Sequence, residues 1–220
     1  MRKIFHVFLF FCAGCAVPAP FSQPQRVSME GMDPGMVIEE FARSVPRDFK
    51  IMNSAVFRYR GRKMTGIGYT AVNRETRVFA VSCMTPMGIT LFDLQGTNGN
   101  YSASLALKGQ WSSEAFAKTA GSDVEAVYMA PAPEKYGRVD CKQYSMTFFQ
   151  PYREGSLEYV FSGKNAFLSE KRYRRNGSLE WRARYYEYRR IGSKLFPGGI
   201  VFENRRYGYS LVLRLKEVFD

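Results

Sequence analysis

The chain has 220 residues, 45% of them hydrophobic and 15% aromatic, enough apolar material for the core of one domain of ordinary size. Its 32 Lys and Arg against 20 Asp and Glu leave a formal charge of +12, so any partner meets a basic surface. Its single histidine leaves little for acid–base chemistry.

The first residues set the compartment. Arg2 and Lys3 precede an apolar run from Ile4 to Phe11 that gives way to small residues, the layout of a secretory signal. That run is far short of the roughly 20 residues a membrane-spanning helix requires, and no later stretch approaches that length. It ends in Cys12-Ala13-Gly14-Cys15, which resembles the bacterial lipobox, with Cys12 where Leu is usual. The resemblance implies cleavage of a signal peptide over residues 1–14 and acylation of Cys15. Because Ala16 is not Asp, it also implies sorting to the periplasmic face of the outer membrane. The alternative is an ordinary signal-peptidase cut that frees a soluble periplasmic protein.

Cleavage would remove His6 and two basic residues, leaving 30 cations against 20 anions, a charge of about +10. Histidine-dependent catalysis is then excluded. No nucleophile has a matching base, and Asp93 and Glu158 stand apart from other carboxylates, so a non-enzyme without metal or cofactor is expected. An exported protein meets little nucleic acid, and anionic lipid headgroups are the natural counterpart of the charge, each Lys or Arg near such a surface adding about 1 kcal/mol. The basic residues are also spread along the chain, which equally describes a well-solvated monomer. With Cys15 acylated, Cys83 and Cys141 are the remaining thiols; an oxidising periplasm permits a disulfide between them, and two unpaired core thiols are the alternative.

After Cys15, Pro18, Pro20, Pro24 and Pro34 with few large apolar residues describe an extended, flexible tether over residues 15–35, and the folded domain is expected over 36–220. Met36, Val37, Ile38, Phe41 and Val45 recur at helical spacing and Pro46 ends the run, predicting a short amphipathic helix. Alternation of Ala55, Phe57 and Tyr59 with Val56, Arg58 and Arg60 predicts a half-buried strand. Further strands over 64–72, 77–84, 89–95 and 101–107, with turn-like breaks at Arg60-Gly61, Asn73-Arg74 and Asn98-Gly99-Asn100, make an antiparallel meander.

Ser112 and Ser113 can cap a helical segment running through Phe116, Ala117, Val124, Val127 and Met129, which Gly121 is expected to split and Pro131 and Pro133 to close. Strands resume over 139–150, 157–161, 166–173, 179–188, 200–204 and 207–218, with Asn176-Gly177 marking a tight hairpin turn. In the last strand Leu211, Leu213 and Leu215 face one way and Val212, Arg214 and Lys216 the other, so one sheet face is buried and one is wet. The expected architecture is mainly β with a helical insert: a strongly curved antiparallel half-barrel of about eleven strands capped by helices. Its many aromatics and methionines line an apolar cavity or fill a plain core.

The lipobox and tether, this order of strands and helices, and the segment Met84-Thr85-Pro86-Met87-Gly88-Ile89-Thr90-Leu91 together resemble the LolA/LolB family of lipoprotein carriers, most closely its outer-membrane receptor branch, LolB. Leu195-Phe196-Pro197-Gly198-Gly199-Ile200 and the hairpin after it also resemble that family's closing strands. The resemblance implies a cavity that takes acyl chains from a LolA-like periplasmic carrier and passes them to the inner leaflet of the outer membrane. It also implies that Pro86, Met87 and Gly88 form a protruding loop whose Met87 enters the membrane. The residue-level alternative is that Pro86 and Gly88 simply build a hairpin turn. A departure from the family is the basic segment containing Arg172, Arg174, Arg182 and Arg184, which is either a docking face for an acidic carrier or anionic lipid, or a solvated sheet face with cross-strand ion pairs. An envelope interaction module that moves no lipid remains the second functional reading.

Overall fold

The computed structural model describes residues 20–23, 25–105 and 112–219; the signal segment and Cys15 lie outside the described residues, as do positions 106–107 of the fifth expected strand. In chain order the elements are α1 (Pro34–Ser44), β1 (Asp48–Tyr59), β2 (Arg62–Asn73), β3 (Val78–Met84), β4 (Thr90–Thr97), β5 (Asn100–Leu105) and α2 (Ser113–Tyr128). They continue with β6 (Arg138–Lys142), β7 (Ser145–Tyr152), β8 (Gly155–Ser162), β9 (Phe167–Arg175), β10 (Ser178–Tyr186), β11 (Arg189–Ile191), β12 (Lys194–Phe196), β13 (Gly199–Asn204) and β14 (Tyr209–Phe219).

Twelve of these strands form one antiparallel sheet in the order β5-β4-β3-β2-β1-β14-β13-β10-β9-β8-β7-β6, while β11 and β12 pair separately. The sheet is not closed, because β5 and β6 are both edges. The chain between those two edges contains α2, so the helical insert has to cross from one side of the sheet to the other. This is the expected open, curved sheet with helices over it. It has one more strand than expected because residues 139–150 are two strands, β6 and β7, joined at Gln143-Tyr144, a turn that carries no glycine or Asn-Gly signal.

Local signals explain the boundaries. Asp33 caps α1 by accepting from the Met36 amide at 2.8 Å, and Pro34 occupies the first turn, where its missing N–H costs nothing. Ser112 caps α2, accepting from the Ala115 amide at 3.2 Å. The expected break at Gly121 does not occur: α2 is one helix of 16 residues. A Cβ at Gly121 would lie 2.4 Å from the Tyr101 ring, so this glycine lets the helix sit directly on β5 and has nothing to do with ending it. The β9–β10 turn is as expected, with Asn176 and Gly177 both at positive φ, 50° and 78°.

Large apolar side chains on the inner sheet face, among them Phe79, Phe148, Tyr159, Phe161 and Phe202, are fully buried and form one core with Val37 and Phe41 of α1 and Val127 and Tyr128 of α2. The outer face carries a second, smaller cluster of Tyr186, Val201 and Phe21. Phe21 belongs to the segment read as a flexible tether, yet only 5% of it is exposed. Its ring occupies space that a Cβ on Gly199 would fill, and the Arg214 guanidinium lies 4.6 Å from its centroid. Farther on, the buried Met29 donates its amide to Gln143 O at 2.7 Å. Among the described residues between 20 and 33 there is no strand or helix, but the segment is pinned at these two apolar side chains.

Candidate functional site

The seam between the two helices and the inner sheet face is lined almost wholly by apolar groups. Phe41 comes from α1 and Val45 from just beyond it, Val127 and Tyr128 from α2, and Ile51, Leu168, Tyr185, Ile200 and Leu215 from the sheet. The enclosed space there is about 40 Å³, room for a few atoms and not for an acyl chain. A larger depression of about 330 Å³ lies over Ala71, Ala80 and Ser82, but it is an open furrow bounded by Lys50, Tyr69 and Gln95.

What closes the seam is a set of side chains reaching from the sheet to backbone carbonyls of the cap. Arg74, in the β2–β3 turn, donates through Nε to Tyr128 O at the end of α2, at 2.7 Å, and through Nη1 to Pro46 O just beyond α1. Tyr185 Oη donates to Val127 O at 2.8 Å, and Lys171 Nζ to Ala130 O at 2.8 Å. Lys194 Nζ donates to Arg43 O at the end of α1 at 3.2 Å. Asp123 of α2 accepts from Tyr209 Oη and from Asn204 Nδ2, the latter at 3.2 Å. The cap is therefore held by discrete polar latches as well as by apolar packing, and such latches are lost one by one when a cap lifts and water replaces them.

Burial tunes several of these groups. It pushes the Asp123 carboxyl up to about 7, against the opposing hydrogen bonds from Tyr209 and Asn204. It pulls Lys171 down to about 7, with the neighbouring charge of Arg74 adding to the effect, and Arg74 itself down to about 10. Lys171 is 1% exposed, although it stands in a run of charged residues between Glu170 and Arg172. Arg74 was read only as part of a turn. Lys171 shares the buried parity of Tyr173, while the register irregularity opposite Val160 and Phe161 puts it out of step with Leu168.

Pro86, Met87 and Gly88 sit at the β3–β4 turn, closed by Thr85 N donating to Ile89 O at 2.8 Å and Gly88 N to Thr85 O at 2.9 Å. Gly88 has φ 83°, so the glycine is required by the turn, and Met87 is 84% exposed at its tip. Cys83 and Cys141 are both free; Cys83 is half-buried on β3, with burial pushing its thiol up, and Cys141 is exposed on the edge strand β6.

The four arginines Arg172, Arg174, Arg182 and Arg184 do come together, on the outer face, but they are paired. One register row runs Glu158, Arg172, Arg182, Glu203 across β8, β9, β10 and β13. Arg172 bonds Glu158 and Glu170, Arg174 bonds Glu158 at 3.4 Å, and both Arg182 and Arg184 bond Glu203. Cross-strand glutamates thus cancel most of the charge that made this segment stand out. Asp93, in turn, accepts from Ser82 Oγ at 2.6 Å.

No family model and no curated protein sequence matches the chain. Among solved structures it is similar to a LolA superfamily protein from Nitrosomonas europaea, with 12% identity, TM-score 0.53, and 84% of this chain and 91% of that one covered. A domain from Vibrio parahaemolyticus described as an outer membrane lipoprotein-sorting protein gives 11% identity, TM-score 0.56 and coverage of 83% and 90%. A DUF1329 family protein from Desulfovibrio piger gives 9%, 0.51, and 83% and 89%. The fold of the described residues, an open antiparallel sheet with two helices over it, is LolA-like.

Proposed function

We propose that this protein is an outer-membrane lipoprotein that accepts the acyl chains of lipoproteins or lipids between its sheet and its helical cap and helps insert them into the outer membrane. The observation that carries the reading is the apolar seam under a cap latched by Arg74 to the ends of both helices. Transfer of this kind breaks no bond. Each buried CH₂ is worth about 0.8 kcal/mol, so a carrier that also releases its load must nearly match the bilayer in affinity. A seam that is collapsed when empty contributes to that balance, because opening the cap subtracts from the affinity of the bound state. The exposed Met87 turn is the delivery point in this reading, Cys15 the anchor, and a LolA-like periplasmic carrier the donor.

The small enclosed volume favours a second reading, an envelope interaction module that keeps the fold without moving lipid. Mass spectrometry of the species that co-purify with a Cys15→Ser form separates the two. Acyl-bearing molecules in stoichiometric amount support the carrier; a protein partner without lipid supports the module.

A further inference from the structure

The β1–β2 hairpin outruns its neighbour. β2 pairs with β3 only as far as Ile67 opposite Met84, while β1 and β2 remain paired onward to Tyr59 opposite Arg62. The hairpin therefore projects past the base of the Met87 turn, and both turns close the meander at the same end. Its tip carries Arg58, Arg60, Arg62 and Lys63, all exposed, and the chain has no Asp or Glu from Phe49 through Arg74. Among the described residues none of these four cations is in an ion pair, in contrast to the arginines of β9 and β10. On its other side β1 pairs with β14, Tyr59 opposite Tyr209, which brings the Arg205-Arg206 turn next to the tip. Exposed apolar side chains share this end: Met64 at 55%, Ile89 at 59% and Met87 at 84%.

We propose that the β1–β2 hairpin is a docking surface for anionic phospholipid bilayers, its cations meeting headgroup phosphates while the adjacent Met87 turn reaches the acyl region. Cations that meet no carboxylate among the described residues, Arg60 stacking only on the Tyr59 ring, lie next to protruding apolar side chains and match a surface that offers negative charge and hydrocarbon in successive layers. An acidic protein would satisfy the charges and leave Met87 and Ile89 facing a polar partner. The proposal rests on the membrane-facing reading of the Met87 turn and not on cargo transfer. A vesicle assay contains no cargo, so its failure would leave the acyl-binding reading standing.

The test is sedimentation of the Cys15→Ser chain with vesicles of phosphatidylcholine alone or mixed with phosphatidylglycerol. The wild-type hairpin is expected to favour the anionic vesicles at least tenfold at low salt, an advantage that fades as salt screens it. R58Q/R60Q/R62Q/K63Q should lose roughly 100-fold, R60Q/R62Q roughly 10-fold, and both should melt like the parent, since these side chains make no core contact. R77Q/K164Q, in turns at the opposite end, should bind as the parent does. The proposal is overturned if the quadruple variant binds anionic vesicles like the parent, or if the parent shows no preference for them. It is equally overturned if hairpin-dependent binding is found for polyglutamate and not for vesicles, which would make the partner an acidic protein.

Discussion

The Nε of Arg74 donates to Tyr128 O at 2.7 Å, which ties the β2–β3 turn to the last residue of α2, while its Nη1 ties the same turn to Pro46 beyond α1. One guanidinium thus spans the exits of both helices. Arg74→Met keeps an apolar stem and removes the latch. Thermal unfolding should show a loss of about 2 kcal/mol, the worth of hydrogen bonds to a charged group partly offset by no longer burying that charge. If the cap opens to admit an acyl chain, the variant should also bind a fluorescent fatty acid a few-fold more tightly, because a larger fraction of it is already open. Lower stability with unchanged probe binding would mean that Arg74 is a structural tie and not a gate.

Gly121 and Tyr101 make a second coupled pair. Gly121→Ala gains helix propensity of about 1 kcal/mol but places a Cβ 2.4 Å from atoms of the Tyr101 ring, and overpacking of this kind costs about 1–3 kcal/mol. Net destabilisation is expected in denaturant unfolding, and Tyr101→Ala should reverse its sign in the double variant. An alanine at 121 that stabilises the wild-type background would show that α2 does not rest on β5 as described.

The protonation of Asp123 and Lys171 sets a pH signature. Asp123 rises from 3.8 to about 7 on folding, so between those values the native state holds a proton that the unfolded chain has released, and stability falls as pH rises. Lys171 falls from 10.5 to about 7, so above 7 the unfolded chain holds a proton that the native state lacks, and stability rises with pH. In chemical denaturation, wild type should lose stability relative to Asp123→Asn from pH 5 to 7, and gain it relative to Lys171→Met from pH 7 to 9. A flat difference in either window contradicts the burial assigned to that group.

Met87→Glu separates a delivery role from a core role. At 84% exposure Met87 contributes little to the core, so melting should be unchanged. Transfer of bound lipid to liposomes should fall at least tenfold, since a carboxylate must be desolvated or neutralised before entering hydrocarbon. Unchanged transfer removes Met87 from the mechanism.

The legible parts of the fold were those written in local chemistry. Asn176-Gly177 names its turn, Pro46 and Ser112 mark helix ends, and the alternation through Leu211, Leu213 and Leu215 gives the buried face. What was misread or missed depends on what lies across from a residue. Gly121 carries the same letter whether it ends a helix or admits a tyrosine ring. For Arg172 and Arg182 the choice between a docking face and cross-strand ion pairs waits on Glu158 and Glu203 being seen on the strands beside them, while Arg58, Arg60, Arg62 and Lys63, less conspicuous in the sequence, meet no carboxylate among the described residues. Arg74 and Lys171 become latches only because α2 ends above them.

The most direct test is saturable binding of a fluorescent fatty acid to the Cys15→Ser chain, with competition by unlabelled lipid. The sheet–cap seam should bind one probe per chain, release it to acyl competitors, and lose it when Ile200→Arg places a charge among the lining residues, the fold being checked by melting. Absence of saturable binding in the wild-type and Arg74→Met chains alike would contradict the carrier reading and leave the interaction module in its place.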